Sequence, residues 1–331
     1  MTASGDSTPA GGESAGPIHP LPPTPVQPKT RKKPHSDLPG RVLTAAVLIP
    51  LVIYMIIRGG LAYLATVVVI ILLGQREFYR LIEDKGARPL HSFGLAAGAA
   101  LPVVAYIGTE YHMTVLMTAT LLAVMVAQLG KAEITEALAS ISGTFFGVFY
   151  VGWLMSYAVV LRNFYDAVVS HYGDGPVQAM GFVPDSGIFL MVFALFCVIW
   201  CDAGAYFGGR FWGRRKLARK ISPGKSVEGA IAGVVAGVAG GAVCKSLFDI
   251  FWPDLSQAFS METALIFAVV VSIAGIVGDL IESLLKRDAK VKDTGSLLPG
   301  TGGMLDRIDS PLLGIPVMYY GLLFYVFLHV G

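Results

Sequence analysis

Long, almost uninterrupted apolar blocks are the feature that most constrains this chain. Nine can be marked from Arg41 onward, roughly at 42–58, 60–76, 92–108, 112–128, 142–161, 187–208, 227–249, 262–285 and 311–330. Each is about 16 to 25 residues, the length at which an α-helix crosses the hydrocarbon core of a bilayer. Lipid offers no water to satisfy backbone N–H and C=O groups, so segments of this length are expected to be helices, which satisfy them internally. With 54% hydrophobic and 15% charged residues, the chain also lacks the polar surface of a soluble domain. The expected fold class is all-α, a polytopic membrane protein of about nine transmembrane helices occupying residues 41–331.

Residues 1–40 have a different composition, rich in Pro, Gly, Ser and Thr and poor in aliphatic clusters. Such a stretch cannot bury enough apolar area to offset its chain entropy, and a disordered cytoplasmic tail is expected. It holds no apolar core of the kind a cleavable signal peptide needs. The net charge of +2 gives no nucleic-acid footprint, but its distribution is informative. If the N-terminus is cytoplasmic and the nine blocks alternate, all but Arg58, Arg162 and Lys245 of the 25 Lys and Arg residues fall on the cytoplasmic side. Cys197, Cys201 and Cys244 all lie in apolar blocks, which predicts packing residues and no disulfide framework. The small residues of Gly229–Gly241 recur three and four apart, the pattern of close helix packing.

Two loops on the expected cytoplasmic side concentrate polar chemistry. The first spans 201–229, where Asp202 closes an apolar run and Tyr206, Arg210 and a dense basic cluster follow. A carboxylate at that depth is costly unless paired or metal-bound. The stretch Ser222-Pro223-Gly224-Lys225-Ser226 reads as a turn leading into a helix near Val227. It resembles the end of a P-loop but fails that motif, because Arg219 stands where its first Gly belongs and no strand is expected before it. Phosphate held here would instead meet turn amides and a helix N-terminus.

The second loop spans 278–310. Asp279 lies seven residues before Lys286, about 10 Å along a helix, and therefore below the headgroup plane. Glu282 and Ser283 follow at spacings that share its face, and Asp306 and Asp309 can converge if their stretch is helical. Carboxylates among Lys and Arg are what phosphoryl chemistry needs. Hard oxygen ligands hold Mg²⁺, and cations balance charge on phosphoryl oxygens. A transporter would also place acids in its helices, but it should show internal repeats and mid-membrane interruptions, and neither is evident.

The second loop closely resembles a known signature: Ser283-Leu284-Leu285-Lys286-Arg287, Lys292-Asp293, Gly295, Leu298-Pro299-Gly300, Gly302-Gly303 and Leu305-Asp306-Arg307-Ile308-Asp309. It is that of the phosphatidate cytidylyltransferases. The earlier loop is similar to the same family through Asp202, Ala205-Tyr206, Gly209-Arg210, Ser222-Pro223, Lys225-Ser226 and Glu228-Gly229. The resemblance implies a nine-helix membrane enzyme, a homodimer, that joins CTP and phosphatidic acid at the cytoplasmic surface of the bilayer with Mg²⁺, alone or with a second cation. It implies Asp279 and Asp306 as principal metal ligands, with Asp309 and Asp293 close by, and Lys292, Arg287 and Arg307 on the phosphates. Asp202, Tyr206, Ser222, Lys225, Ser226 and Glu228 fall to the nucleotide side. In one respect the chain departs from the family: Thr301 stands where a His usually lies between the loop glycines. A threonine hydroxyl can bond a phosphate but cannot shuttle a proton near neutral pH as His can. A relative with an altered lipid substrate or lost activity is the competing reading, and Thr301 is what motivates it.

Overall fold

The computed structural model describes residues 38–331 apart from 109, 132–134, 296–301 and 331, with the side chains of 38–45 and 110 also set aside. The tail expected at 1–40 therefore lies almost wholly outside the described residues. Helices carry the fold: α1 Leu38–Arg58, α2 Gly60–Asp84, α3 His91–Ile107, α4 Glu110–Leu129, α5 Ala137–Gly147, α6 Leu154–Arg162, α7 Phe164–Tyr172, α8 Asp174–Ala179, α9 Ser186–Trp212, α10 Val227–Phe251, α11 Pro253–Ser256, α12 Met261–Asp288 and α13 Leu305–Val330. A turn of π-helix, Val148–Trp153, joins α5 to α6. Each apolar block marked in the sequence falls on helix, with 142–161 running through α5, the π-turn and α6.

Among the described residues seven helical segments are long and apolar enough to cross a bilayer, α5 through α6 counting as one, and Ala46–Arg58 and His91–Ile107 are shorter apolar helices. The chain is an all-α, polytopic integral membrane protein. Contacts between distant loops sort the helix ends onto two sides. At one end the buried Arg162 donates to Ile56 O at 2.8 Å and to Asp185 at 3.2 Å. At the other, Lys85 pairs with Asp288 at 2.7 Å, and the ends of α2 and α12 meet the start of α13.

The stretch 222–226 is a strand, where the sequence reading expected a turn. Here β2, Ser222–Ser226, pairs antiparallel with β1, Lys216–Ala218, with Lys216 opposite Ser226 and Ala218 opposite Ser222. The chain reverses at 219–221, so Pro223 occupies a two-stranded ribbon, where a missing N–H costs little. Helix α10 then starts at Val227 as expected, capped by Ser226, whose Oγ accepts from Gly229 N at 3.1 Å.

Helices α9 and α10 pack backbone to backbone. A Cβ on Gly233 would lie 2.9 Å from Cys201 O, and one on Gly237 2.9 Å from Cys197 O. The three cysteines are free and buried in this region, as the sequence suggested. Gly233→Val should force the pair apart and destabilise the protein by about 1–3 kcal/mol. Thermal unfolding in detergent checks this, and an unchanged midpoint would refute the close approach.

Candidate active site

The site is built where α12 and α13 touch. Gly278 lets α13 come close, since a Cβ there would sit 2.4 Å from Asp309 O. One turn further along α12, Asp279, Glu282, Ser283 and Lys286 share a face, as their spacing requires. With Asp309 of α13, Asp279 and Glu282 form a trio in which one carboxylate oxygen from each lies within 4.8 Å of the others. That separation, with oxygen donors only, suits a hard divalent cation. Glu282 is fully buried; its Oε2 is ion-paired with Lys286, and its Oε1 has no hydrogen-bond partner among the described residues. An uncompensated buried carboxylate oxygen is costly, so the donor set fits a missing positive ligand.

Asp306 stands outside that trio. Its Oδ1 meets Lys286 Nζ at 2.8 Å, so Lys286 lies between Glu282 and Asp306. Its Oδ2 accepts from Gly303 N at 2.7 Å, Thr294 Oγ1 at 3.0 Å and Thr294 N at 3.1 Å. Asp306 thus organises the loop that enters α13, while Asp309, one turn later, faces α12.

Five of the six residues expected on the nucleotide side, Asp202, Tyr206, Ser222, Lys225 and Ser226, line with Asp279 a cavity of about 480 Å³ between α9, the β-ribbon and α12. It joins the carboxylate trio directly, because Lys225 Nζ lies 2.5 Å from Asp279 Oδ2 and Asp202 accepts from Ser310 Oγ at 3.3 Å. Two of the six sequence-selected residues also have local structural jobs. Ser226 caps α10, and Glu228 accepts from the backbone amides of Arg214 and Arg215 at 3.0 Å each, fastening the ribbon. Arg210 donates to Tyr206 Oη at 3.2 Å. Arg287 is exposed and donates to Ile221 O at 3.2 Å, tying α12 to the ribbon. Lys292, Asp293 and Arg307 are exposed on the segments flanking the loop and are absent from the trio. Leu298, Pro299, Gly300 and Thr301 lie outside the described residues, so the departure at Thr301 has no structural reading.

Sequence reasoning missed several members of this site. In the sequence Lys286 serves only to set the depth of Asp279, yet its side chain is only 14% exposed and joins two acids. Glu77 of α2 was cut off at the end of an apolar block. It is buried, and its Oε2 accepts from Leu305 N at 2.8 Å and Thr294 Oγ1 at 3.3 Å, clasping both ends of the loop. The signal was present: Glu77 lies three residues past the buried Gly74, an acid on the apolar face of its helix. Glu77→Ala should leave the Leu305 amide without its acceptor and lower stability by about 1–3 kcal/mol, with Glu77→Gln costing less because it keeps an acceptor. Equal melting midpoints for wild type and Glu77→Ala would contradict the clasp.

Comparison with known proteins gives the family of the chain. A model described as the cytidylyltransferase family matches residues 39–325. The phosphatidate cytidylyltransferase of Synechocystis sp. is 32% identical over 85% of this chain and 94% of its own length. Phosphatidate cytidylyltransferase 5, chloroplastic, of Arabidopsis thaliana is 32% identical over 77% of this chain and 64% of its own. A phosphatidate cytidylyltransferase of Helicobacter pylori is 52% identical over a shorter stretch, 18% of this chain. Fold and matches together define a membrane-embedded nucleotidyltransferase. The chain belongs to the cytidylyltransferase family, alongside the relatives named phosphatidate cytidylyltransferase.

Proposed function

We propose that this enzyme makes CDP-diacylglycerol and pyrophosphate from CTP and phosphatidic acid at the cytoplasmic surface of the membrane. The observation that carries the reading is the trio of Asp279, Glu282 and Asp309, flanked by Lys225 and Lys286 and opening onto the cavity of about 480 Å³. A phosphate oxygen of the lipid attacks the α-phosphorus of CTP, the bond from that phosphorus to the β-phosphate bridge breaks, and pyrophosphate carries away the electron pair. The nucleophile is already an anion, so the reaction needs no strong base. Its difficulty is holding two polyanions together in line.

Asp279, Glu282 and Asp309 would hold Mg²⁺, which supplies Lewis-acid neutralisation of phosphoryl oxygens, and a second cation would draw on Asp306 or Asp293. Lys225 is the cation nearest Asp279 and suits the CTP phosphates. Asp202, Tyr206, Ser222 and Ser226 shape the nucleotide side of the cavity, and Glu228 keeps the ribbon in place. Arg287, Lys292 and Arg307 supply positive charge at the rim. The catalytic body is residues 41–331, its N-terminus and site cytoplasmic by the distribution of Lys and Arg, and a homodimer is the assembly the family resemblance suggests.

Purified protein in detergent, given CTP labelled in the base, phosphatidic acid and Mg²⁺, should move label into the organic phase, and chelation should stop it. Absence of lipid label with phosphatidic acid, alongside label with a different lipid phosphomonoester, would favour the altered-substrate reading instead.

A further inference from the structure

The span from Ala137 to Arg162 is not a uniform α-helix. Between α5 and α6 it widens into the π-turn Val148–Trp153. Such bulges are uncommon and gather at functional positions, because they turn a side chain away from the direction a regular helix would give it. This one carries Tyr150, which is 3% exposed and whose hydroxyl has no hydrogen-bond partner among the described residues. The ring is fixed by Phe146, stacked at 5.5 Å between centroids, and by Phe78 at 6.0 Å.

The charges acting on that phenol are those of Glu282, Asp309 and Asp279, the same three carboxylates that converge within 4.8 Å. Glu282 Oε1 is likewise buried and unmet. A buried donor and a buried acceptor, each without a hydrogen-bond partner among the described residues and close enough for the carboxylate's charge to act on the phenol, call for a group that meets both. The bridging group must accept from a phenol and suit a carboxylate cluster, which means an oxygen ligand bearing or accompanied by positive charge.

We propose that Tyr150 is a further ligand-contacting residue of the reaction site. Its hydroxyl donates to an oxygen of the group seated at Asp279, Glu282 and Asp309, either water on a divalent ion or a phosphate oxygen of the lipid. The inference rests on the reading of this site as the place of cytidylyl transfer.

Tyr150→Phe tests it, because the change removes one atom that has no hydrogen-bond partner among the described residues. The ligand-free variant should melt at the wild-type temperature or above it. Turnover should fall roughly tenfold or more, the worth of one hydrogen bond to a charged group. Direct titration with Mn²⁺, without substrates, separates the two sources. Weaker metal binding identifies ion-bound water, whereas intact metal binding with a raised KM for phosphatidic acid identifies the lipid phosphate. A Tyr150→Phe protein equal to wild type in rate, metal binding and KM would overturn the inference. So would a marked loss of stability, which would mean that the hydroxyl is already bonded within the fold. If wild type itself makes no CDP-diacylglycerol, the proposed function fails, while weaker Mn²⁺ binding by Tyr150→Phe would still place the hydroxyl at the ion and unchanged binding would overturn the inference.

Discussion

Asp279→Ala is expected to lower turnover by about 10³-fold while leaving a folded protein, the largest effect on rate of any single substitution considered. Asp279 is half-exposed to the cavity and contributes to both halves of the site. One oxygen belongs to the carboxylate trio, and Oδ2 meets Lys225 on the nucleotide side. Removing it would weaken the proposed ion site and release Lys225, where the proposed reaction develops phosphoryl charge. Losing a single such interaction costs about 10²–10³ in rate, and here two are linked. The fold should survive because Asp279 is not sealed in the core; its helix is held by Gly278 against Asp309 and by neighbouring apolar residues. Steady-state rates with both substrates saturating, together with a melting curve, measure both parts. A variant within a few-fold of wild type would remove Asp279 from the chemistry.

Lys286→Met should act in the opposite sense, mainly on stability. Its ammonium lies between Glu282, which is fully buried, and Asp306, whose side chain is 10% exposed. Deleting the cation leaves two carboxylates facing each other with nothing between them, and breaking a buried pair in this way costs about 3–5 kcal/mol. The double variant Lys286→Met with Glu282→Gln should regain part of that loss, since one of the orphaned charges is then gone. A double variant less stable than Lys286→Met alone would show that Glu282 is held by something other than this cation.

The sequence made the helices legible for a simple reason. Bilayer thickness sets a length, and the apolar blocks meet it, so the helical segments could be marked without knowledge of their packing. The acids of α12 were legible too, because three- and four-residue spacing is a local property of a helix. What was not legible depends on where elements meet. Glu77 is 228 residues from Leu305, and nothing local reveals that α2 caps α13. The division of labour between Asp306 and Asp309 turns on where α13 begins. With the helix starting at Leu305, Asp306 points back at the loop and Asp309 reaches α12. Tyr150 sits in an apolar aromatic stretch, and only the π-turn and its missing partner mark it out. The ribbon at 216–226 was hidden by Pro223-Gly224, a pair that normally signals a turn.

The central claim is that the carboxylate trio supports attack by a lipid phosphate on the α-phosphorus of CTP. Supplying the purified enzyme with phosphatidic acid and CTP, labelled in one sample at the α-phosphate and in another at the γ-phosphate, tests it most directly. The α-label should pass into the organic phase and the γ-label should leave as water-soluble pyrophosphate. Recovery of the γ-label in lipid would instead mean phosphoryl transfer, and the account given for these residues would be contradicted.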